Sequence, residues 1–453
     1  MKNVNFVVLA AGKGTRMKSS VPKVLHKLAG RSMLRHVIDA TNTVGESKKV
    51  IVTGHGAEQV EETFESADTK FVRQEDQLGT AHAVSMAIPE LCEDAIVVVL
   101  YGDVPLIRPV TLQRMLASVN EKSMGLLTIS LDDPDGYGRI VRSADGLIES
   151  IVEQKDATNE QRHICEINTG VMALTSLQLR NWLPQISNNN AQGEYYLTDI
   201  IAIARQNGIE VNSINPESVT EVEGVNSRLQ LSQLERAHQL ELARQLMESG
   251  TTLADPARFD QRGQLSVGTD NFIDINCIFE GKVTIGSNVS IGPNCCIINS
   301  MIGNNVEILA NTIIDSSKVG DSAVIGPFAR IRPGTELAEH TKVGNFVETK
   351  KSQVGKGSKI NHLSYVGDSE LGENVNIGAG TITCNYDGIK KNRTKIKDNV
   401  FIGSNSSLVA PLLVEKGSLI GAGSVITKNV KKNSLAMTRS SQIEVQNYKR
   451  KRK

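Results

Sequence analysis

Two rhythms of apolar and polar residues divide the chain. Up to about residue 227, apolar residues come in unbroken runs: Val4 to Ala11, Lys49 to Gly54 and Ile96 to Asp103. Continuous apolar segments of this length are what buried parallel strands require. Helical spacing lies between them, around Met33 to Ala40 and Ala81 to Ile88. The alternation predicts a doubly wound, Rossmann-like α/β sheet with ligands beyond the carboxyl ends of its strands. From about Ile285 to Ile426 an aliphatic residue instead returns every six positions. Val319, Ile325, Ile331, Leu337 and Val343 form one series; Ile396, Ile402, Leu408, Val414, Ile420 and Ile426 form another. Six residues are too few for a helical repeat but enough for one short strand and one turn. The pattern predicts a parallel β-helix with stacked inward aliphatics and Gly or Asn at its corners.

Between the two, Arg228 to Met247 carries Leu at 229, 231, 234, 240, 242 and 246 among strong helix formers, and reads as one helix. The expected organisation is an α/β domain over 1–227, a linker helix over 228–250, the β-helix over 251–430 and a basic tail over 431–453. A length of 453 residues agrees with two or three domains. The net charge is zero but uneven: from Thr251 onward 26 Lys+Arg face 18 Asp+Glu. Lys449 to Lys453 supply five of those positive charges and read as a solvated tail. Without a wider basic face or interleaved aromatics, no nucleic-acid role is expected. The six cysteines show no metal-ligand spacing, which fits reduced thiols in the cytoplasm. Neither a leader pattern nor an apolar run of membrane-spanning length is present, so no membrane insertion is expected.

The first apolar run breaks into Gly12-Lys13-Gly14-Thr15-Arg16-Met17, followed by Pro22-Lys23. A glycine turn after a strand lets backbone N–H groups approach phosphate oxygens, and Arg16 and Lys23 can neutralise a triphosphate. The spacing is not that of a P-loop. Asp103 ends the most apolar strand, where a carboxylate facing a triphosphate can hold Mg²⁺. Leu9-Ala10-Ala11-Gly12-Lys-Gly-Thr-Arg16-Met with Pro-Lys23 resembles the signature of the sugar-phosphate nucleotidyltransferases. That resemblance implies nucleotide contacts from Leu9, Ala10, Ala11, Gly12, Lys23, Tyr101, Gly102 and Asp103, and a catalytic Arg16. It implies uracil contacts from Gln74, Gly79 and Thr80, and Mg²⁺ on Asp103 and Asn226. By position alone Asn226 would pass as a helix N-cap. Gly138, Glu153 and Asn168 match the family's pocket for ribose and N-acetylhexosamine. Asn188 to Asp199 matches too, with no chemistry readable from its residues.

Two departures mark the β-helix. Ile360-Asn361-His362 places His362 at a turn rather than in the core, and Asn385 to Lys395 interrupts the period as a projecting polar loop would. The repeat resembles the left-handed β-helix of hexapeptide-repeat acyltransferases. Over essentially its whole length the chain resembles the bacterial bifunctional N-acetylglucosamine-1-phosphate uridylyltransferases/glucosamine-1-phosphate N-acetyltransferases. This implies UTP and acetyl-CoA as co-substrates, a homotrimer, and a place in precursor supply for peptidoglycan and lipopolysaccharide. It implies His362 as general base. Arg332, Lys350, Tyr365, Asn376 and Lys391 would bind the amino-sugar phosphate, with Lys390 or Arg393 able to replace Lys391 in register. Ala379, Asn385, Tyr386, Ser404, Ala422 and Arg439 would contact acetyl-CoA. Thr349 stands where the family usually has Met. A solenoid that only oligomerises would leave His362 and the loop unexplained. A γ-carbonic-anhydrase site would need three histidines, and the repeat region holds only His340 and His362.

Overall fold

A computed structural model of the chain describes residues 3–64 and 69–449. All of the basic run except Lys449 lies outside the described residues. The chain forms two compact units, Met1–His238 and Gln239–Lys453. Their boundary falls inside the helix Arg228–Glu248, rather than at either end of the expected linker.

The first unit is built on a mixed sheet. Its central order is Glu210–Ile214, Ser123–Ser130, Glu166–Thr175, Ala95–Tyr101, Asn3–Ala10, Ser47–Thr53 and Thr69–Arg73. Asn3–Ala10 pairs in parallel with both Ala95–Tyr101 and Ser47–Thr53, and its six residues Asn5 to Ala10 are buried, as expected for a strand covered on both faces. Apolar clusters fill the space on each face of the sheet; one contains Val7, Val52, Val99 and Met172, the other Phe6, Val8, Ile51 and Val98. Alternate residues of one strand thus feed opposite layers. One departure from an all-parallel sheet is Glu166–Thr175, which runs antiparallel to both its neighbours. Chain order reverses between Asn3–Ala10 and Ala95–Tyr101, so their carboxyl ends open a crevice, where α/β sheets bind ligands.

The second unit is a parallel β-helix. One sheet of eleven strands and another of seventeen contain the three sides of successive coils. Residues stack in register: Ile291, Ile308, Ile325, Val343, Ile360 and Ile377 form one inward column, continued by Ile402 and Ile420. These side chains are almost fully buried and belong to one continuous core. The six-residue ruler holds along two sides but slips at one corner, where Ile297 is followed inward by Ile302 and Ile314 by Val319. Away from the projecting loop, coils are consequently 17 or 18 residues long, as in the steps Val343 to Ile360 and Ile402 to Ile420. The corners hold left-handed backbone, mostly at Asn: Asn276, Asn294 and Asn311 mark one, Asn288 and Asn305 another. Asn tolerates this conformation better than other non-glycine residues.

Candidate active sites

The crevice of the α/β unit is a cleft of about 360 Å³, lined by Leu9, Ala10, Ala11, Gly12, Lys23, Gln74, Gly79, Thr80, Tyr101 and Asp103 among others. Ten expected nucleotide contacts therefore share one cavity. The Gly102 N–H donates to the Leu9 carbonyl at 2.9 Å, tying the two central strand ends together. Lys23 reaches across to Asp103, and its Nζ lies 3.1 Å from Asn226 Oδ1. A carboxylate and an amide oxygen thus converge on one cation, here an ammonium. Asn226 is not the helix N-cap: Ser227 takes that place, its Oγ accepting from the Gln230 N–H at 3.2 Å. Arg16 sits exposed in the short 3-10 helix Thr15–Met17, outside the cleft lining.

The loop expected to contact uracil is braced from two sides. Gln74 Nε2 donates to the Gly79 carbonyl at 3.1 Å, and Gln77, which the sequence did not single out, donates to the Ala11 carbonyl at 2.6 Å. Gly79 has φ 122°, and a Cβ there would stand 2.5 Å from the Tyr195 carbonyl oxygen, so only glycine fits. This explains the segment around Asn188 to Asp199. The Tyr195 N–H donates to the Leu78 carbonyl at 2.8 Å, and the Leu197 N–H to Thr80 Oγ1 at 3.0 Å. Thr198 then hydrogen-bonds Glu153 at 3.1 Å. One segment therefore spans from the Gln74–Thr80 loop to the expected sugar pocket, a link visible only from its hydrogen-bond partners.

Gly138, Glu153 and Asn168 do come together: the Asn168 N–H donates to the Gly138 carbonyl at 2.9 Å, and a Cβ on Gly138 would lie 3.4 Å from Glu153 Oε1. Burial pushes the Glu153 carboxyl up, with further upward pressure from Asp156 and Asp199 that the Thr198 hydroxyl partly offsets. Burial also pushes the Tyr101 phenol up, and the charges of Glu153 and Asp103 add to it. Tyr101 thus lies within electrostatic reach of both Asp103 and Glu153. Among the described residues no group of three or more His, Cys, Asp or Glu is arranged to hold a metal ion. The Asp103–Asn226 pair of hard oxygen donors fits Mg²⁺, which takes few protein ligands.

In the β-helix, register builds the site. His362 ends the strand Lys359–His362 and pairs with Asn345 one coil earlier. Ala379, Ser404 and Ala422 hold the corresponding place, two residues after the inward Ile377, Ile402 and Ile420. One corner therefore carries His362 in line with three expected acetyl-CoA contacts. Backbone bonds continue the same ladder, with the Asn405 N–H on the Ala379 carbonyl and the Gly423 N–H on the Ser404 carbonyl, each at 2.8 Å. Arg439 Nε donates to the Ala422 carbonyl at 3.2 Å, which adds it to this edge. His362 is exposed, and its Nδ1 lies 2.7 Å from Asn345 Oδ1. An amide oxygen only accepts, so in the neutral ring this contact fits the tautomer with its proton on Nδ1. Asn345 was missed in the sequence because its partner lies 17 residues away. His340 sits at a different corner, with Asn305 and Ser322, away from His362.

Lys350 lies against Lys391, whose contact and charge, with that of Arg332, hold its ammonium below the usual lysine range. Among the described residues neither Lys350 nor Lys391 has a carboxylate partner within ion-pair distance, while Arg332 pairs with Glu348 at 2.6 Å. Like charges gathered without counter-ions suit an anionic ligand. Of the three basic residues that could share the register, Arg393 pairs with Glu370 at 2.7 Å, and Lys391 is the one beside Lys350. The projecting loop folds back on itself, Tyr386 bridging to Lys391 and the Asn392 N–H donating to the Asn385 carbonyl at 2.8 Å. Asn385 is fixed by Asp368, another residue the sequence did not flag, and reaches Tyr365 Oη at 3.5 Å. Asn376 stands apart on the eleven-stranded sheet, between Lys359 and Phe401. Among the described residues no hydrogen bond joins it to the Lys350 group.

A nucleotide cleft at the switch point of an α/β sheet, followed by a parallel β-helix with a histidine-bearing corner, defines a nucleotidyltransferase joined to a repeat-built second unit. Residues 6–164 match the MobA-like NTP transferase domain, and residues 262–412 the GMPPB C-terminal domain. The bifunctional protein GlmU of Marinobacter nauticus is 55% identical over 453 residues, all of both chains. The bifunctional protein GlmU of Cellvibrio japonicus is 55% identical over 447 residues, 99% of each chain. A solved UDP-glucose pyrophosphorylase complexed with UDP-glucose covers 52% of this chain and 98% of its own, at 16% identity and a TM-score of 0.45. The chain belongs to the family of the bifunctional GlmU proteins.

Proposed function

We infer that the two units catalyse consecutive steps of UDP-N-acetylglucosamine synthesis: N-acetylation of glucosamine-1-phosphate, then uridylyl transfer to the product. The observation that carries the first step is the Asn345–His362 contact, 2.7 Å long at Nδ1, which orients the ring with Nε2 directed away from Asn345 to act as the base. In this reading Nε2 takes a proton from the substrate amine, and the freed nitrogen attacks the thioester carbonyl of acetyl-CoA. The C–S bond breaks, the imidazolium returns its proton to the departing thiolate, and the second proton that the nitrogen loses on becoming an amide passes to solvent. An ammonium has no lone pair to attack with, so a base of near-neutral pKa is required. Arg332, Lys350 and Lys391 hold the phosphate, Tyr365 borders the sugar site, and Ala379, Asn385, Tyr386, Ser404, Ala422 and Arg439 line the acetyl-CoA path.

In the α/β unit, a phosphate oxygen of N-acetylglucosamine-1-phosphate attacks the α-phosphorus of UTP, and the bond to the β-phosphate bridge breaks to release pyrophosphate. Lys23 and Arg16 offset the repulsion between the two phosphates. Asp103 and Asn226 would hold Mg²⁺, which supplies further neutralisation when bound. Gln74, Gly79 and Thr80 read the uracil; Gly138, Glu153 and Asn168 bind the sugars. We assign uridylyl transfer to residues 1–227, acetyl transfer to 251–430, and place the protein in the cytoplasm. No helix among the described residues is long and apolar enough to cross a membrane.

The working form is a homotrimer. Phe328, Phe346 and Leu363 stack at one corner with φ of 55°, 54° and 50°, and all three are exposed. Bulky residues in left-handed backbone cost about 1–2 kcal/mol each, and an exposed apolar ladder beside His362 is accounted for by neighbouring copies covering it. Purified protein should release thiol from acetyl-CoA with glucosamine-1-phosphate, and pyrophosphate from UTP with the acetylated sugar. Sedimentation of a fully active monomer would overturn the trimer; absence of either product would overturn that half of the assignment.

A further inference from the structure

The helix Arg228–Glu248 looks like a spacer between two enzymes, yet its first half packs into the uridylyltransferase unit. Leu234 is fully buried in a small core with Leu28, Met33 and Val225. Glu235 Oε2 accepts the N–H of Ala29 at 2.7 Å, at a residue whose φ of 47° would otherwise be costly. His36 and His238 meet edge to face at 5.9 Å. These contacts all fall on the stretch just after Lys23.

Arg228 reaches the other side of that stretch. Its Nε donates to the carbonyl of Met17 at 3.1 Å, at the end of the 3-10 helix that carries Arg16. Its charge also acts on His26, the residue that ends the 3-10 helix beginning at Lys23. Burial is the main cause that lowers the His26 imidazole, and the Arg228 charge adds to it. One side chain therefore hydrogen-bonds the start of the segment from Met17 to His26, which contains Lys23, and acts on its end through charge. Two residues earlier in the chain, Asn226 accepts a hydrogen bond from Lys23.

We propose that Arg228 is a positioning residue of uridylyl transfer: it staples the Met17–His26 segment so that Lys23 and Arg16 face the triphosphate. This rests on the reading of the α/β cleft as the uridylyltransferase site. A misplacement of about 1 Å in such cationic groups costs up to about 10²-fold in rate. The role also makes the helix part of the first enzyme rather than a tether, since its opening residue completes the nucleotide site.

The side-chain chemistry supplies a discriminating test in the full-length protein. Gln places its Nε2 at the same point along the side chain as the Arg Nε, so Arg228→Gln keeps the donor to Met17 and loses the charge. Arg228→Met keeps the length and loses both. Arg228→Met should lower kcat for uridylyl transfer roughly 10- to 100-fold, with a smaller change in KM for UTP. Arg228→Gln should restore the rate to within about threefold of wild type, since the hydrogen bond and not the charge does the positioning. Acetyl transfer and the melting temperature should not move in either variant. Wild-type kcat in Arg228→Met would overturn the proposal. So would an Arg228→Gln enzyme as slow as Arg228→Met beside an active Arg228→Lys, because the charge would then act on the nucleotide directly. A parallel fall in both activities and in melting temperature would also overturn it, as a general loss of fold. Absence of uridylyl transfer in the wild-type control would instead overturn the reading of the cleft.

Discussion

The two sites of this chain are assembled by opposite means. The nucleotide cleft draws on loops scattered from Leu9 to Asn226, brought together at one end of a sheet and tied by individual side chains such as Gln77, Lys23 and Thr198. The proposed acetyltransferase corner needs almost no such ties, because register alone stacks Asn345, His362, Ala379, Ser404 and Ala422. A site made by a repeat inherits its geometry from the coil, so each group is placed by the inward residue two positions before it. A site made by loops has to be held, and every brace is a separate place where it can fail.

The comparison breaks most sharply at His362. His362→Ala should slow acetyl transfer by roughly 10²–10⁴-fold, the weight of a general base, and leave uridylyl transfer unchanged. Higher pH should recover part of the rate, since more of the substrate amine is then neutral. A wild-type kcat for acetyl transfer at pH 7 would remove the histidine from the mechanism. Next comes Asp103→Ala, with an expected loss of about 10²–10³-fold in pyrophosphate release and acetyl transfer preserved. If both half-reactions fell together with the fold intact by circular dichroism, the two sites would not be independent.

A core change tests the repeat itself. Ile331 is fully buried between Ile314 and Thr349, so Ile331→Ala should destabilise the β-helix by about 2–5 kcal/mol. Calorimetry should show that transition moving down, while uridylyl transfer persists below it. The smallest effect belongs to Glu153. Its carboxyl is pushed up by burial, so the stability tied to its protonated form is complete below the ordinary value and is lost as pH rises through the raised one. Glu153→Gln should therefore melt like wild type in acid and above it at pH 8, with weaker sugar binding. Equal melting temperatures at both pH values would mean that burial does not penalise this charge.

Repetition made the placement of much of the second candidate site legible in the sequence. Once Ile360 points inward, His362 must fall at a corner, and the break after Thr383 must project. What sequence could not show were partners one coil away: Asn345 for His362 and Asp368 for Asn385. Nor could a six-residue ruler reveal the corner where the chain takes a shorter step, because the aliphatic pattern is satisfied on either side of it.

In the first unit, local pattern determined the strands, the glycine turn and the carboxylate at Asp103, since apolar runs and turn chemistry act over a few residues. The tertiary structure decided the rest. It turned Asn226 from a helix cap into a partner of Lys23, gave the Asn188 to Asp199 segment its bracing role, and set Glu166–Thr175 antiparallel. It also placed the unit boundary within a helix that the sequence reads as continuous. The physical reason is common to all four: helix and strand propensities are local, whereas which carbonyl a distant N–H or guanidinium meets depends on how the finished layers pack.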